Sequence, residues 1–198
     1  MRKFSVAVSG TPGTGKSYFA QKLAAAVPSS FIVEVNDVAK VQNLFIGVDE
    51  YGTKIVDTKA LGAAVRAELR KGFAAGASLA IIVGHLVPYI GMHFDMAVVM
   101  RCSLRVLLKR LIARDYPKPK ISDNLLCEAM DCVGTDMIGK AKETYEAATA
   151  ADSKVLIAYI STIASGRQSI KPKLKEINLM GELYSMIKKG EFEFGAIP

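Results

Sequence analysis

The sequence predicts an α/β fold: a five-stranded parallel sheet with helices on both faces, built around a phosphate-binding loop. Three observations carry this. Residues 10–17 read Gly-Thr-Pro-Gly-Thr-Gly-Lys-Ser, the G-x-x-x-x-G-K-[ST] pattern. β-prone and helical segments alternate along the chain in the manner of βαβ units. Hydrophobic residues make up 51% of the 198 positions, which suits strands buried on both faces.

Taken in order, Lys3–Ser9 alternates and is β-prone, and Ser17–Val27 follows as a helix with Phe19, Leu23 and Val27 on one face. The motif therefore sits between a strand and a helix, the context its chemistry needs. Glycines at 10, 13 and 15 let backbone N–H groups turn inward, and the helix N-terminus favours anions. Lys16 can place an ammonium on β- and γ-phosphates, and Ser17 can offer its hydroxyl to Mg²⁺.

Phe31–Val35 reads as a short strand, and Asn36 or Asp37 caps a helix through about Leu44. Phe45–Thr53 is a loop rich in Gly and Asp. Thr58 caps a long helix, Lys59–Phe73, ending near Gly76. Ser78–Val83 is a continuous apolar strand, Gly84–Gly91 a loop and Asp95–Arg101 another strand. Leu104, Leu107, Leu108, Leu111 and Ile112 mark one face of the next helix; Arg110 and Arg114, at i and i+4, share another. Asp115–Lys120 breaks that helix. Ser122 caps a helix to about Ala148, Val155–Ile160 is the fifth strand, and Pro172 opens a last, basic helix, 172–189.

One domain spans 1–198, and the N-terminus begins directly on a strand with no signal peptide. Cys102, Cys127 and Cys132 are odd in number and lack metal spacing, which reads as reduced thiols in a cytosolic protein. Ser78–Phe94 holds two histidines, a proline and two glycines and does not read as a membrane span. Net charge is +7, from 26 basic and 19 acidic residues, concentrated in Arg101–Lys120 and Arg167–Lys189. Such charge suits polyphosphate, RNA or both, or is a solvated basic face. N-K-x-D is absent, which argues against a GTPase; H-R-D and D-F-G are absent, which argues against a protein kinase.

The loop with proline at its third position resembles that of adenylate kinases. Asn36-Asp37-Val38-Ala39-Lys40, Asp49-Glu50-Tyr51, Ile55-Val56-Asp57, His85, Arg110-Leu111-Ile112-Ala113-Arg114-Asp115-Tyr116 and Ser122-Asp123-Asn124…Cys127-Glu128 resemble a narrower group over about residues 3–150. That group is the nuclear-type adenylate kinase family, adenylate kinase isoenzyme 6 or coilin-interacting nuclear ATPase, in its archaeal-like form. The resemblance implies an AMP kinase with ATPase activity, using ATP and Mg²⁺. It also implies a part in small-ribosomal-subunit maturation, through a small-subunit ribosomal protein and rRNA, in the cytoplasm or, in a eukaryote, the nucleus. It implies an NMP-binding segment at about 36–73 and a short lid at about 115–121. Gly13, Thr14, Gly15, Lys16 and Ser17 would hold ATP, with Ser17 on the metal. Arg110 would lie against adenine, Arg114 would touch the phosphates, and Asp37 would border the AMP site. His85, at a strand's C-terminal end, would orient water or touch the γ-phosphate; the alternative is a hydrogen-bonded loop histidine. His93 reads as structural.

Two departures stand out. The family's D-x-H has Val83 in place of its acid, leaving Asp37, Asp49 and Asp57 as nearby acids to replace it. Lys40 stands where an arginine is usual, losing a planar two-pronged phosphate contact. These point to retained nucleotide binding with slow turnover. Two other readings stay open: a ribosome-assembly ATPase or chaperone with little kinase turnover, and a kinase for another small acceptor of the cytidylate or shikimate type.

Overall fold

The computed structural model describes residues 3–49 and 52–192; Glu50 and Tyr51, part of one resemblance motif, lie outside them. The elements run β1 (Phe4–Ser9), α1 (Lys16–Ala26), β2 (Ser30–Glu34), α2 (Val35–Val41), β3 (Phe45–Val48), β4 (Lys54–Val56), α3 (Thr58–Ala74), β5 (Leu79–Val83), β6 (Met96–Met100), α4 (Leu104–Ile112), α5 (Lys118–Ala129), α6 (Cys132–Met137), β7 (Thr144–Ala147), α7 (Ala150–Ala164) and α8 (Met180–Lys188). The main sheet is parallel, in the order β2-β5-β1-β6-β7.

Both sheet faces are covered. Val6, Val8, Ile81, Val83 and Val98 pack on one side against Phe19 and Leu23 of α1 and Leu156 and Ile160 of α7. Ala7, Val33, Ile82 and Val99 pack on the other against Leu61, Val65 and Leu69 of α3 and Val133 and Met137 of α6. The period of two along each strand divides these residues between the layers. A third cluster joins Leu107 and Leu111 of α4, Leu125 of α5 and Leu183 and Met186 of α8.

Several expected elements differ. The fifth strand is Thr144–Ala147, and Val155–Ile160 lies inside α7. The Thr149–Asp152 capping box starts that helix, and Leu156, Tyr159 and Ile160 bury at helical spacing. A short apolar run fits either period, so its pattern alone could not decide. The helix expected from Ser122 to Ala148 is broken. Asp131 adopts a left-handed conformation at φ 54° and caps α6 by accepting from Gly134 N. Pro119 sits in the first turn of α5, so Lys118–Lys120 opens a helix, as proline's missing N–H allows. Where a loop is expected from Phe45, Phe45–Val48 is β3, paired antiparallel with β4. Helix α2 begins at Val35, ahead of Asn36 and Asp37, and Asp57, not Thr58, caps α3 by accepting from Ala60 N at 2.9 Å. Residues 166–179 form no regular element, so the last helix is α8 alone.

Helix α8 is tied to α4. Glu182 accepts from Leu104 N at 3.0 Å and Arg105 N at 3.2 Å, an anion at a helix N-terminus. Arg105 Nε donates to Glu191 at 2.7 Å. Arg101, at the end of β6, is 2% exposed and pairs with Glu128, also 2% exposed, at 3.1 Å, and with Asp131 and Glu146. Part of the basic excess along Arg101–Lys120, at Arg101 and Arg105, is thus met by acids distant in sequence. Breaking a buried pair strands a charge, so Arg101→Ala should cost ~3–5 kcal/mol, read as a lowered urea-unfolding midpoint.

Candidate functional site

The phosphate loop joins β1 to α1 in the central strand position, so its helix N-terminus opens at the C-terminal edge of the sheet, where such folds bind ligands. Gly10 has φ +143°, and a Cβ there would lie 2.4 Å from Met100 O. Gly13 has φ +98°, and a Cβ would lie 2.8 Å from a Leu107 methyl. Thr14 Oγ1 donates to Thr11 O at 2.9 Å, and Lys16 Nζ donates to Gly10 O and Thr11 O, each at 2.9 Å. The ammonium is thereby folded over the loop.

Lys16, Ser17, His85 and Arg114 line one cleft of about 340 Å³, together with Glu34 and Tyr116. Burial holds the Lys16 ammonium down at about 8, with Arg114 adding to the effect and Glu128 and Glu34 opposing it. His85 is held down to about 4, first by burial and then by Lys16 and Lys120, so its ring is neutral at pH 7. Gly84 before it is anchored by Ser9 Oγ donating to its carbonyl at 3.0 Å.

Arg110 donates to Gly13 O at 2.8 Å. It lines a second cleft of about 630 Å³, with Gly13, Thr14, Arg114 and the start of α7 around Thr149. That volume is in the range of small-molecule sites. Arg114 and Gly13 border both clefts. Asp37 lies apart, in a groove of about 450 Å³ between α2 and α3 with Val38 and Glu68, and sits 3.7 Å from Lys40. Asp49 accepts from Thr53 N inside the hairpin, and Asp57 caps α3, which places both in local turns.

Glu34 is the residue that sequence reasoning missed. It ends β2 and lines the same cleft as Ser17; burial pushes its carboxyl above the usual carboxylate range, with the nearby Ser17 hydroxyl opposing. The available signal was an acid closing an otherwise apolar strand, at the sheet edge where ligands bind. A hydroxyl and a carboxylate form an all-oxygen donor set, which fits Mg²⁺. Among the described residues no three His, Cys, Asp or Glu side chains cluster as a closed metal cage. Mg²⁺ ordinarily takes one or two protein oxygens and substrate phosphates instead, so the residues present fit it.

Two outcomes follow. Phosphate should restore the charge on Lys16, so polyphosphate binding should take up a proton near pH 8 and weaken above it. Calorimetry in buffers of different ionisation enthalpy would show this. His85 stays neutral in the fold down to about 4 while the unfolded chain protonates at its ordinary 6.5. Its stabilising contribution is full above pH 6.5 and is lost as pH falls toward 4. His85→Asn should therefore lose less stability than the parent between pH 7 and 4, measured by thermal unfolding.

Comparison with known proteins agrees with this geometry. An AAA domain family model matches residues 6–131. The adenylate kinase isoenzyme 6 homolog of Saccharomyces cerevisiae is 34% identical over 145 residues, covering 72% of this chain and 68% of its own. The homolog of Caenorhabditis elegans is 32% identical over 151 residues, covering 73% and 75%. A relative from Archaeoglobus fulgidus is 28% identical over 187 residues, covering 93% of this chain and 96% of its own. The phosphate loop and these matches show that the chain belongs to the AAA domain family and to the adenylate kinase isoenzyme 6 group of P-loop phosphotransferases.

Proposed function

We propose that the chain is an AMP kinase with a side ATPase activity. ATP binds with its phosphates over Gly13–Ser17 and its adenine in the cleft beside Arg110. An oxygen of the AMP phosphate attacks the γ-phosphorus, the bond to the β–γ bridging oxygen breaks, and two ADP result. Water in the acceptor's place gives hydrolysis. The observation that carries this is the convergence of Lys16, Ser17, His85 and Arg114 on one cleft at the loop.

Such chemistry needs positioning and charge neutralisation, with no protein nucleophile. Lys16 and Arg114 meet the charge on the transferred group. Neutral His85 offers one hydrogen bond to the γ-phosphate or the attacking water. Mg²⁺, when bound through Ser17, supplies further neutralisation of the β- and γ-phosphates. Helix α2, carrying Asp37 and Lys40, borders the AMP site, within an NMP-binding segment at about 36–73. The turn between α4 and α5 acts as the lid that excludes water.

The reading extends to ribosome maturation in the cytoplasm or nucleus, with a small-subunit ribosomal protein and rRNA as partners. Its support is the exposed basic stretch Arg167, Lys171, Lys173 and Lys175, which precedes α8 without regular structure, with Lys171 paired to Glu143 at 2.7 Å. Binding of small-subunit rRNA that weakens steeply with salt would bear this out. In this reading nucleotide state governs partner binding, whatever the kinase turnover. Among the described residues no helix is long and apolar enough to cross a membrane.

The kinase assignment is tested by coupled phosphotransfer from ATP to a panel of acceptors: AMP, CMP, UMP, GMP and shikimate. AMP should be preferred, and Mg²⁺ required. Arg114→Ala should lower kcat about 10²-fold or more, the scale of removing one transition-state charge partner. Equal transfer to every acceptor, or none without loss of ATP binding, would remove AMP from the assignment. His85→Ala should slow ATP hydrolysis, and an unchanged rate would leave His85 as a loop histidine.

A further inference from the structure

We infer that Glu34, at the end of β2, is the carboxylate that holds Mg²⁺ together with Ser17, in place of the acid missing at Val83. The inference rests on the ATP-binding reading above and names the metal-holding residue of that same site.

The sheet register carries the argument. Phosphate loops pair the Ser/Thr hydroxyl with a strand-end Asp to hold Mg²⁺. Here the end of the adjoining strand β5 is Val83, fully buried in the core layer that faces α1. Glu34 is the parallel pairing partner of Val83. Paired residues of neighbouring strands point to the same sheet face, so Glu34 stands one strand over, at the same height and toward α1. Ser17 is the second residue of α1, and it and Glu34 line the same cleft.

No local task accounts for that direction. Glu34 occupies the N-cap position of α2, yet its side chain makes no capping hydrogen bond. It lines the cleft that holds Lys16 and His85, as well as the edge of the groove beyond α2. The extra methylene of Glu over Asp lengthens its reach from β2, which lies one strand farther from the loop than β5. The other nearby acids are placed differently. Asp57 caps α3, Asp49 closes the hairpin, and Asp37 lines the groove beyond α2. Of the two departures that point to slow turnover, the one at Val83 is thereby compensated, and Lys40 remains.

The test separates metal from nucleotide. A non-hydrolysable ATP analogue is titrated calorimetrically in EDTA and in Mg²⁺, and Mn²⁺ binding to the protein–analogue complex is followed by electron paramagnetic resonance. Glu34→Gln should bind the analogue in EDTA as tightly as the parent or more so. Its Mn²⁺ affinity should fall about 10–100-fold, the scale expected for altering a metal site's protein groups. Asp37→Asn should leave Mn²⁺ affinity unchanged. An unaltered Mn²⁺ affinity in Glu34→Gln, or a loss in Asp37→Asn alone, overturns the assignment to Glu34 while leaving ATP binding in place. A parent protein that binds no analogue under either condition overturns the ATP-binding reading itself.

Discussion

The Lys16 ammonium, bound to the carbonyls of Gly10 and Thr11 across the phosphate loop, is the interaction on which the site depends. It closes the loop around a partly desolvated cation, and burial makes that cation eager for an anion. The loop can fold this tightly because its glycines take positive φ angles and because neighbours press on it. The Met100 carbonyl sits where a Cβ at Gly10 would be, and Leu107 sits where one at Gly13 would be. The loop is therefore shaped by β6 and α4 as much as by its own sequence.

That pressure reaches back into the third core cluster. Leu107 and Leu111 of α4 pack against α5 and α8, so Arg110 stands on a helix held from behind and Arg114 just past its end. Glu182 of α8 anchors the N-terminus of α4, and Arg110 at its other end donates to the loop at Gly13. Beneath them Arg101 links β6 to α5, α6 and β7 through Glu128, Asp131 and Glu146. A buried ion network of this kind contributes little net stability but strongly disfavours any arrangement that leaves one member unpaired. Here it pins the turn from β6 to α4 in one geometry.

Much of this was legible from residue order. The phosphate loop, strands β1, β5 and β6 and the long helix α3 follow from motif, apolar continuity and helical period, all local properties. Arg110 lies on α4 as the helical period implies, whereas Arg114 falls in the turn beyond it, and the two meet at the clefts rather than on one helix face. The stretch from Asp131 to Ile160 was not legible. A capping box at Thr149–Asp152 and a left-handed Asp131 outweighed a strand-like apolar run and an apparently continuous helix. The basic tail read as one helix from Pro172, yet only Met180–Lys188 has an amphipathic face that finds a partner, in α4.

The sequence by itself determined that a phosphate loop sits between a strand and a helix of a parallel sheet, and that Arg110 lies on a helix near it. Motif spacing and helix period are set within a few residues, so no distant contact was needed. Only the tertiary structure decided which acid stands beside Ser17. Glu34 and Val83 are 49 positions apart in the chain and become neighbours through strand pairing, a long-range register that no local pattern encodes.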